Sequence, residues 1–292
     1  MVDVVYMPEK SVLVTKASGE KAPFSPVKLR QSLERAGAGS AAIDRIVRVI
    51  EAQLVDGKST KKIYRQAFSM LRDHAKSVAG RYKIKQAILE LGPSGYPFEH
   101  FVGEILKHQG YRTKVGVIIQ GHCVSHEIDV EAEKDNRHFM VECKFHNRQG
   151  YKCDVKIPLY IKSRFEDVKK QWEKHKGHAT KFHEGWVVTN TRFTEDAIQY
   201  GKCSGLVLIG WDYPQQGSIS DRINLSGLYP VTCLTSLTKV EKQMLVDKRI
   251  VLCKELCQKP EVLEEMGISH SRVKRIINEG AEICSSSTSR NN

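Results

Sequence analysis

Two short runs, His126 to Ala132 and His138 to Phe145, alternate polar and apolar residues on either side of Asp135-Asn136. Together they require an antiparallel hairpin. With a two-residue turn, Asp129 lies directly opposite Glu142 and Glu127 opposite Lys144. One face then reads Ile128, Val130 and Ala132 against Phe139, Val141 and Cys143, and is apolar. The other reads Glu127, Asp129 and Glu131 against Met140, Glu142 and Lys144. Carboxylates opposed across a strand pair repel unless a cation or a proton sits between them, and a divalent metal with oxygen ligands meets that need. The plain alternative is the wet face of an ordinary hairpin, charged at every second position.

The order of these residues, an acid, a hairpin, then an acid and a lysine two apart, resembles the D...(D/E)-x-K signature of the restriction-endonuclease-like nucleases. The resemblance implies that Asp129 and Glu142 hold Mg2+ or Mn2+, that Lys144 positions and activates the attacking water, and that Cys143 points into the core. Around the hairpin the pattern gives a helix with Phe98, Phe101, Val102, Ile105 and Leu106 on one stripe, and a strand from Tyr111 to Ile119. A helix over 157–175 carries Ile161, Phe165, Val168 and Trp172. A strand at Trp186 to Thr189, a helix from Thr194 and a strand at Leu206 to Ile209 follow, so the order is α-β-β-β-α-β-α-β, as a mixed nuclease-like sheet requires. Residues 96–213 look most like the Mrr-type branch, on Tyr96-Pro97-Phe98-Glu99, Gly110-Tyr111, Val188-Thr189-Asn190, Phe193-Thr194 and Ala197. That likeness implies Glu99 as a third catalytic and metal-site acid and DNA as the substrate, with RNA not excluded. Without it, Glu99 reads as an exposed helix glutamate and His126 as a strand-start residue.

Residues 1–91 read as a short hairpin followed by helices. A strand over 11–16 turns at Ala17-Ser18-Gly19, Ser25-Pro26 starts a helix that Gly37 ends, Ser40 and then Ser59 or Thr60 cap two more, and a fourth runs from Val78 to Leu91. The stretch Val14-Thr15-Lys16-Ala17-Ser18-Gly19, with Phe24, Lys28, Leu29 and Asp56-Gly57, resembles an ATP-cone, a nucleotide-binding regulatory module. The likeness implies ATP or dATP as an effector, with Lys16 and Lys28 on its phosphates, Thr60 and Tyr64 near its base, and Val14 in the binding hairpin. Ala22 and Tyr64 stand where some members carry an acid and a histidine, which leaves the choice of nucleotide open. The chain has no P-loop and no dinucleotide-binding glycine motif, so a bound nucleotide would be a signal.

The chain has 292 residues, room for about two domains, and a formal net charge of +12 that suits a polyanionic partner. Its expected class is a multidomain α+β / α/β protein. An N-terminal β-hairpin with a helical bundle (1–91) precedes a restriction-endonuclease-like mixed β-sheet flanked by helices (96–227), with the breaker cluster Gly92-Pro93-Ser94-Gly95-Tyr96-Pro97 between them. A small C-terminal helical domain (228–284) and a disordered tail (285–292) complete it. In the C-terminal part, Met266-Gly267-Ile268-Ser269 with Val273, Ile276 and Ile277 faintly resembles a helix-hairpin-helix arm, and a packing or oligomerisation role is equally open. Eight scattered cysteines signal neither zinc nor disulfides and are expected to be buried thiols, while the stretch His175, His178, His183 among lysines reads as a solvated helix end and loop. No leader pattern and no run of about 18 apolar residues occurs, so the expected place is the cytoplasm with no membrane partner. The expected partners are DNA, a nucleotide effector and further copies of the chain. The leading expectation is a Mg2+-dependent DNA endonuclease under ATP or dATP control, acting against foreign DNA. The competing ones are a catalytically silent nucleotide-sensing DNA-binding regulator and a structural partner in a nucleic-acid assembly.

Overall fold

The computed structural model describes residues 12–148, 150–174 and 182–285, which divide between Tyr82 and Lys83 into two compact units. In the first, β1 (Leu13–Thr15) and β2 (Lys21–Pro23) form an antiparallel hairpin followed by α1 (Pro26–Arg35), α2 (Ser40–Ala52), α3 (Thr60–His74) and α4 (Lys76–Tyr82). Ser25 caps α1 by accepting the Lys28 N–H, and Ser59 caps α3 by accepting the Lys62 N–H. Ser40 is the first helical residue of α2 and Gly39 its cap. Asp56 Oδ1 accepts the Leu13 N–H and the Gly57 N–H donates to Leu13 O, both at 2.8 Å, which ties the hairpin to the loop before α3. The core of this unit includes Val14, Leu33, Ile46, Ile50, Ile63 and Leu71. The helix expected over 78–91 is broken at Lys83: Ala79 is buried in this first core, whereas Ala87, Ile88 and Leu91 of α5 (Ile84–Leu89) and its C-terminal end are buried in the second unit.

The second unit continues with α6 (Tyr96–His108), β3 (Arg112–Gln120), β4 (Ser125–Lys134), β5 (Arg137–Lys144), β6 (Lys152–Cys153), α7 (Lys156–Trp172), β7 (Phe182–Thr189), β8 (Arg192–Phe193), α8 (Glu195–Ser204) and β9 (Val207–Ile209). Five of these strands form one mixed sheet in the order β3-β4-β5-β7-β9, antiparallel through β5 and parallel from β5 to β9, the order of elements read from the sequence. The two-stranded parallel pair β6–β8 is too short to leave a periodicity and was not foreseen.

Asp135 and Asn136 take φ of 51° and 59°, the left-handed geometry of a two-residue hairpin turn. Pairs from Lys134↔Arg137 to Val130↔Val141 follow, so the register places Asp129 opposite Glu142, one step beyond the last pair. The two faces differ from the sequence reading. Because β5 is central and helices cover both sides, Met140 and Glu142 are buried, not wetted. Val130, Ala132, Phe139, Val141 and Cys143 pack in the cluster that contains α6, but Ile128 joins Met140, Ile161, Phe165 and Val187 in the cluster that contains α7. The ribbon changes face at Gly116, whose φ of +65° coincides with a gap in the β3–β4 pairing between Val115↔Val130 and Val117↔Ile128: Val115 packs against the first cluster and Val117 and Ile119 against the second. On the other side of that ribbon α6 sits close to β3: a Cβ at Gly103 would stand 2.8 Å from Val115 Cγ2.

After β9 come α9 (Ile219–Ser226), a 3-10 turn at Val231–Cys233, α10 (Lys239–Asp247), α11 (Cys253–Gln258), α12 (Glu261–Glu265) and α13 (His270–Ser285). Their apolar residues, among them Leu234, Leu245, Leu256, Leu263 and Ile276, belong to the same buried cluster as Phe98, Phe101 and Ile105 of α6. None of the eight cysteines is in a disulfide, and contrary to expectation Cys123 and Cys203 are exposed, since they lie on a loop and on the outer side of α8. His183 also departs from the solvated reading: β7 begins four residues earlier than expected, and the His183 ring is buried 5.2 Å from the Trp172 ring and 5.6 Å from that of His138. His175, His178 and the tail beyond Ser285 lie outside the described residues. Among the described residues no helix is long and apolar enough to cross a membrane.

Candidate active site

Asp129, Glu142 and Lys144 converge where the β4–β5 ladder ends. Asp129 takes over from the ladder with its side chain, Oδ2 accepting the Cys143 N–H at 2.6 Å. Glu142, the residue before Cys143, is 3% exposed. Its Oε1 accepts from Lys144 Nζ at 2.8 Å and from an Arg164 guanidinium nitrogen at 2.7 Å, while Oε2 is buried without a hydrogen-bond partner. Arg164 also donates to Glu127 O, bridging α7 to β4. For Lys144, burial works against the charge, but the adjacent Glu142 outweighs it and raises the ammonium above its ordinary range.

Glu99, in the first turn of α6, faces the same charges. Burial first, then Asp129, Glu127 and Glu142, push its carboxyl up to about 7, and burial and Glu142 push Asp129 up to about 6. Both carboxyls therefore bind protons more tightly folded than unfolded. The stabilisation this gives is complete below the ordinary carboxylate range near pH 4 and is lost as pH rises through about 6 and about 7. Metal-free protein is expected to unfold at a higher temperature at pH 5.5 than at pH 7.5, with Asp129→Asn flattening that difference. Equal midpoints in EDTA at the two pH values would exclude strain between these acids.

Beyond Lys144 the chain is clamped by Asn190: its Oδ1 accepts the His146 N–H at 2.9 Å and its Nδ2 donates to His146 O at 2.8 Å. Thr189 Oγ1 donates to Lys144 O at 2.7 Å, so the Val188-Thr189-Asn190 text fixes the exit of β5 from the site. His126 is turned away from this work: its Nε2 lies 2.8 Å from Asp167 Oδ2, and Asp167 also accepts the Cys123 N–H. Hydrogen bonds from His126 and Cys123 hold the Asp167 carboxyl well below its usual range.

Arg164 was missed from the sequence. It stands three residues after Ile161 and four before Val168, in step with the apolar stripe of α7, and a charge at that spacing is the signal that it points inward. The donor set is a cluster of carboxylates, one with a buried unpartnered oxygen, which suits a hard divalent cation. Among the described residues no three Asp, Glu, His or Cys side chains already stand together as an ion cage.

In the first unit, an isolated parallel bridge pairs Thr15, the residue before Lys16, with Ser59, the residue before Thr60. Lys16 Nζ pairs with Glu20 Oε1 at 3.0 Å, and Lys28 is exposed on α1. The Tyr64 ring stacks on Tyr82 with centroids 5.1 Å apart. Val14 is 4% exposed and its side chain belongs to the core, leaving only its backbone to meet a ligand.

Residues 92–212 match the restriction endonuclease (Mrr catalytic) family model and residues 229–284 the model for the C-terminal part of AF1548-like proteins. A protein of Archaeoglobus fulgidus described as uncharacterized is 37% identical over 186 residues, 62% of this chain and 99% of its own. The chain belongs to the AF1548-like family. The crystal structure of AF1548, a protein of unknown function, is similar over 66% of this chain and 100% of its own, with 36% identity and a TM-score of 0.54. This AF1548-like chain thus carries a restriction-endonuclease-like domain, and Asp129, Glu142, Lys144 and Glu99 all lie within the matched segment.

Proposed function

We propose that the protein is a Mg2+- or Mn2+-dependent endonuclease that hydrolyses phosphodiester bonds in DNA. The observation that carries this reading is the buried, unpartnered Oε2 of Glu142, set beside Asp129 and Lys144 at the end of the β4–β5 ladder. An unpaired buried carboxylate oxygen is costly, and a ligand or ion that reaches it removes that cost. Asp129 and Glu142, with Glu99 at the edge, would hold the metal, which when bound polarises the phosphate and activates water. Lys144, held against Glu142, orients that water or meets the charge that develops on the phosphate. Arg164 fixes the Glu142 carboxylate from α7. Glu99, with its carboxyl near 7, exchanges a proton readily at neutral pH.

The first unit is proposed to bind ATP or dATP through Lys16, Lys28, Thr60 and Tyr64, with the Val14 backbone in the hairpin, and to regulate cleavage or assembly of copies. Its support is the resemblance of the hairpin and helix text, together with the bridge between Thr15 and Ser59, each one residue before Lys16 and Thr60. Action against foreign DNA extends the same reading.

The test is supercoiled plasmid with Mg2+, with and without ATP or dATP, beside the Glu142→Ala variant. The expected result is nicking or linearisation that the variant loses, with a nucleotide-dependent change in rate. A second reading, a catalytically silent DNA-binding regulator, draws on Glu142 Oε1 being neutralised already by two cations. It would be favoured by retained DNA binding with no cleavage in any condition.

A further inference from the structure

A cleft of about 380 Å³ opens between α5, the Gly92-Pro93 turn, the segment after β5 and α10, with Gln86, Glu90, Asn147, Lys239, Lys242 and Gln243 on its walls. Lys242 is 7% exposed, and its ammonium lies within hydrogen-bonding reach of a like charge, that of Lys83. Lys83 Nζ donates to Glu90 Oε2 at 2.7 Å and to Thr232 O at 3.4 Å, and Glu90 also accepts from Gln86 at 3.2 Å. Glu90 thus pairs directly with Lys83 and acts on Lys242 through its charge, with Lys239 adding a third ammonium at the exposed rim. Burial, then Lys83, lower Lys242 to about 8, the direction expected of a buried cation short of negative charge.

Buried like charges side by side are stabilised by an anion, and lysines with amide side chains are what a phosphate group meets on proteins. Asn147 lies three residues past Lys144, so the cleft begins within about 11 Å of chain from the carboxylate cluster. We infer that this cleft is a phosphate-binding site that engages a backbone phosphate of the strand presented to that cluster. The assignment to a strand rests on the nuclease reading, whereas phosphate as the ligand class does not.

Two measurements separate these parts. Thermal unfolding midpoints are read in inorganic phosphate against chloride at matched ionic strength, for the wild type, Lys242→Met and Lys239→Ala. Phosphate stabilises folded proteins generally by exclusion, so the quantity that decides is the difference between proteins. The variants are expected to lose the extra phosphate response, and Lys239→Ala, at the rim, keeps the test available if Lys242→Met does not fold. Affinity for a short DNA duplex is then followed against salt in the Glu142→Gln background. Each cleft variant is expected to weaken binding about tenfold and to lower the slope of log K on log salt by about 1. Lys254→Ala, an exposed lysine outside the cleft, controls for loss of charge.

Loss of both responses, or of the DNA slope alone, assigns the cleft to a strand phosphate. Loss of the phosphate response alone assigns it to a free phosphate or mononucleotide, and survives even if DNA is not bound at all. Unchanged phosphate response and unchanged slope, relative to the wild type and to the Lys254→Ala control, overturn the proposal.

Discussion

Lys144→Met is expected to lower plasmid cleavage by at least about a hundredfold while duplex affinity at fixed salt changes little, the signature of a donor used only as charge develops. The side chain is 27% exposed and reaches the shared end of β4 and β5, 2.8 Å from Glu142 Oε1. Methionine keeps the length of the stem and removes the charge. Glu142 still has Arg164, so folding is preserved and the loss is one of chemistry. Lys144→Arg is expected to rescue poorly, because a planar fork does not replace a compact ammonium in one position. The paired readout, cleavage rate and duplex affinity on the same preparation, decides the matter. Cleavage within a few-fold of wild type would remove Lys144 from the mechanism, and a parallel loss of affinity would make it a DNA-binding residue.

Arg164→Met is expected to destabilise the protein by about 3 kcal/mol, a large share of the stability of an ordinary domain. The two side chains are 13% and 4% exposed, so water cannot take over the guanidinium's role toward Glu142. Glu142 would keep Lys144 but lose its second cation while its Oε2 remains unpartnered, and the bridge to Glu127 O would go as well. The effect should depend on charge: adding Glu142→Gln to Arg164→Met is expected to recover much of the loss, because the group left without its partner is then neutral. Urea unfolding in EDTA of the two single variants and the double variant measures this. Additive losses would show that Arg164 acts by packing alone.

The hairpin was legible because its period and turn chemistry agree: alternation set the strands, and Asp135-Asn136 set the register that brings Asp129 opposite Glu142. The same alternation misled about surroundings. A strand that is buried on both faces and one that is half wet carry the same local rhythm when the second face includes Met140, Glu142 and Lys144, and only the parallel pairing with β7 distinguishes them. Ile128 changes sides where a different strand takes a positive φ, at Gly116, which no reading confined to the hairpin could supply. Arg164 entered the site from α7, 22 residues after Glu142, its one clue being its step with the apolar stripe of that helix. The break at Lys83 was hidden for a related reason. Both halves of the stretch 78–91 are helical, and the division follows which core buries Ala79 and which buries Ile88.

The helices after β9 fill the same cluster as α6, although the matched family segments stop at 212 and resume at 229. What reads as two modules along the chain is one body in space. Removing the last 60 or so residues would take away part of the apolar cluster in which Phe98 and Phe101 are buried, and with it Glu255, which pairs with His100 of the helix whose first turn holds Glu99. The C-terminal segment is therefore tied to the five-stranded sheet by shared apolar surface, whether or not its own residues ever meet a substrate.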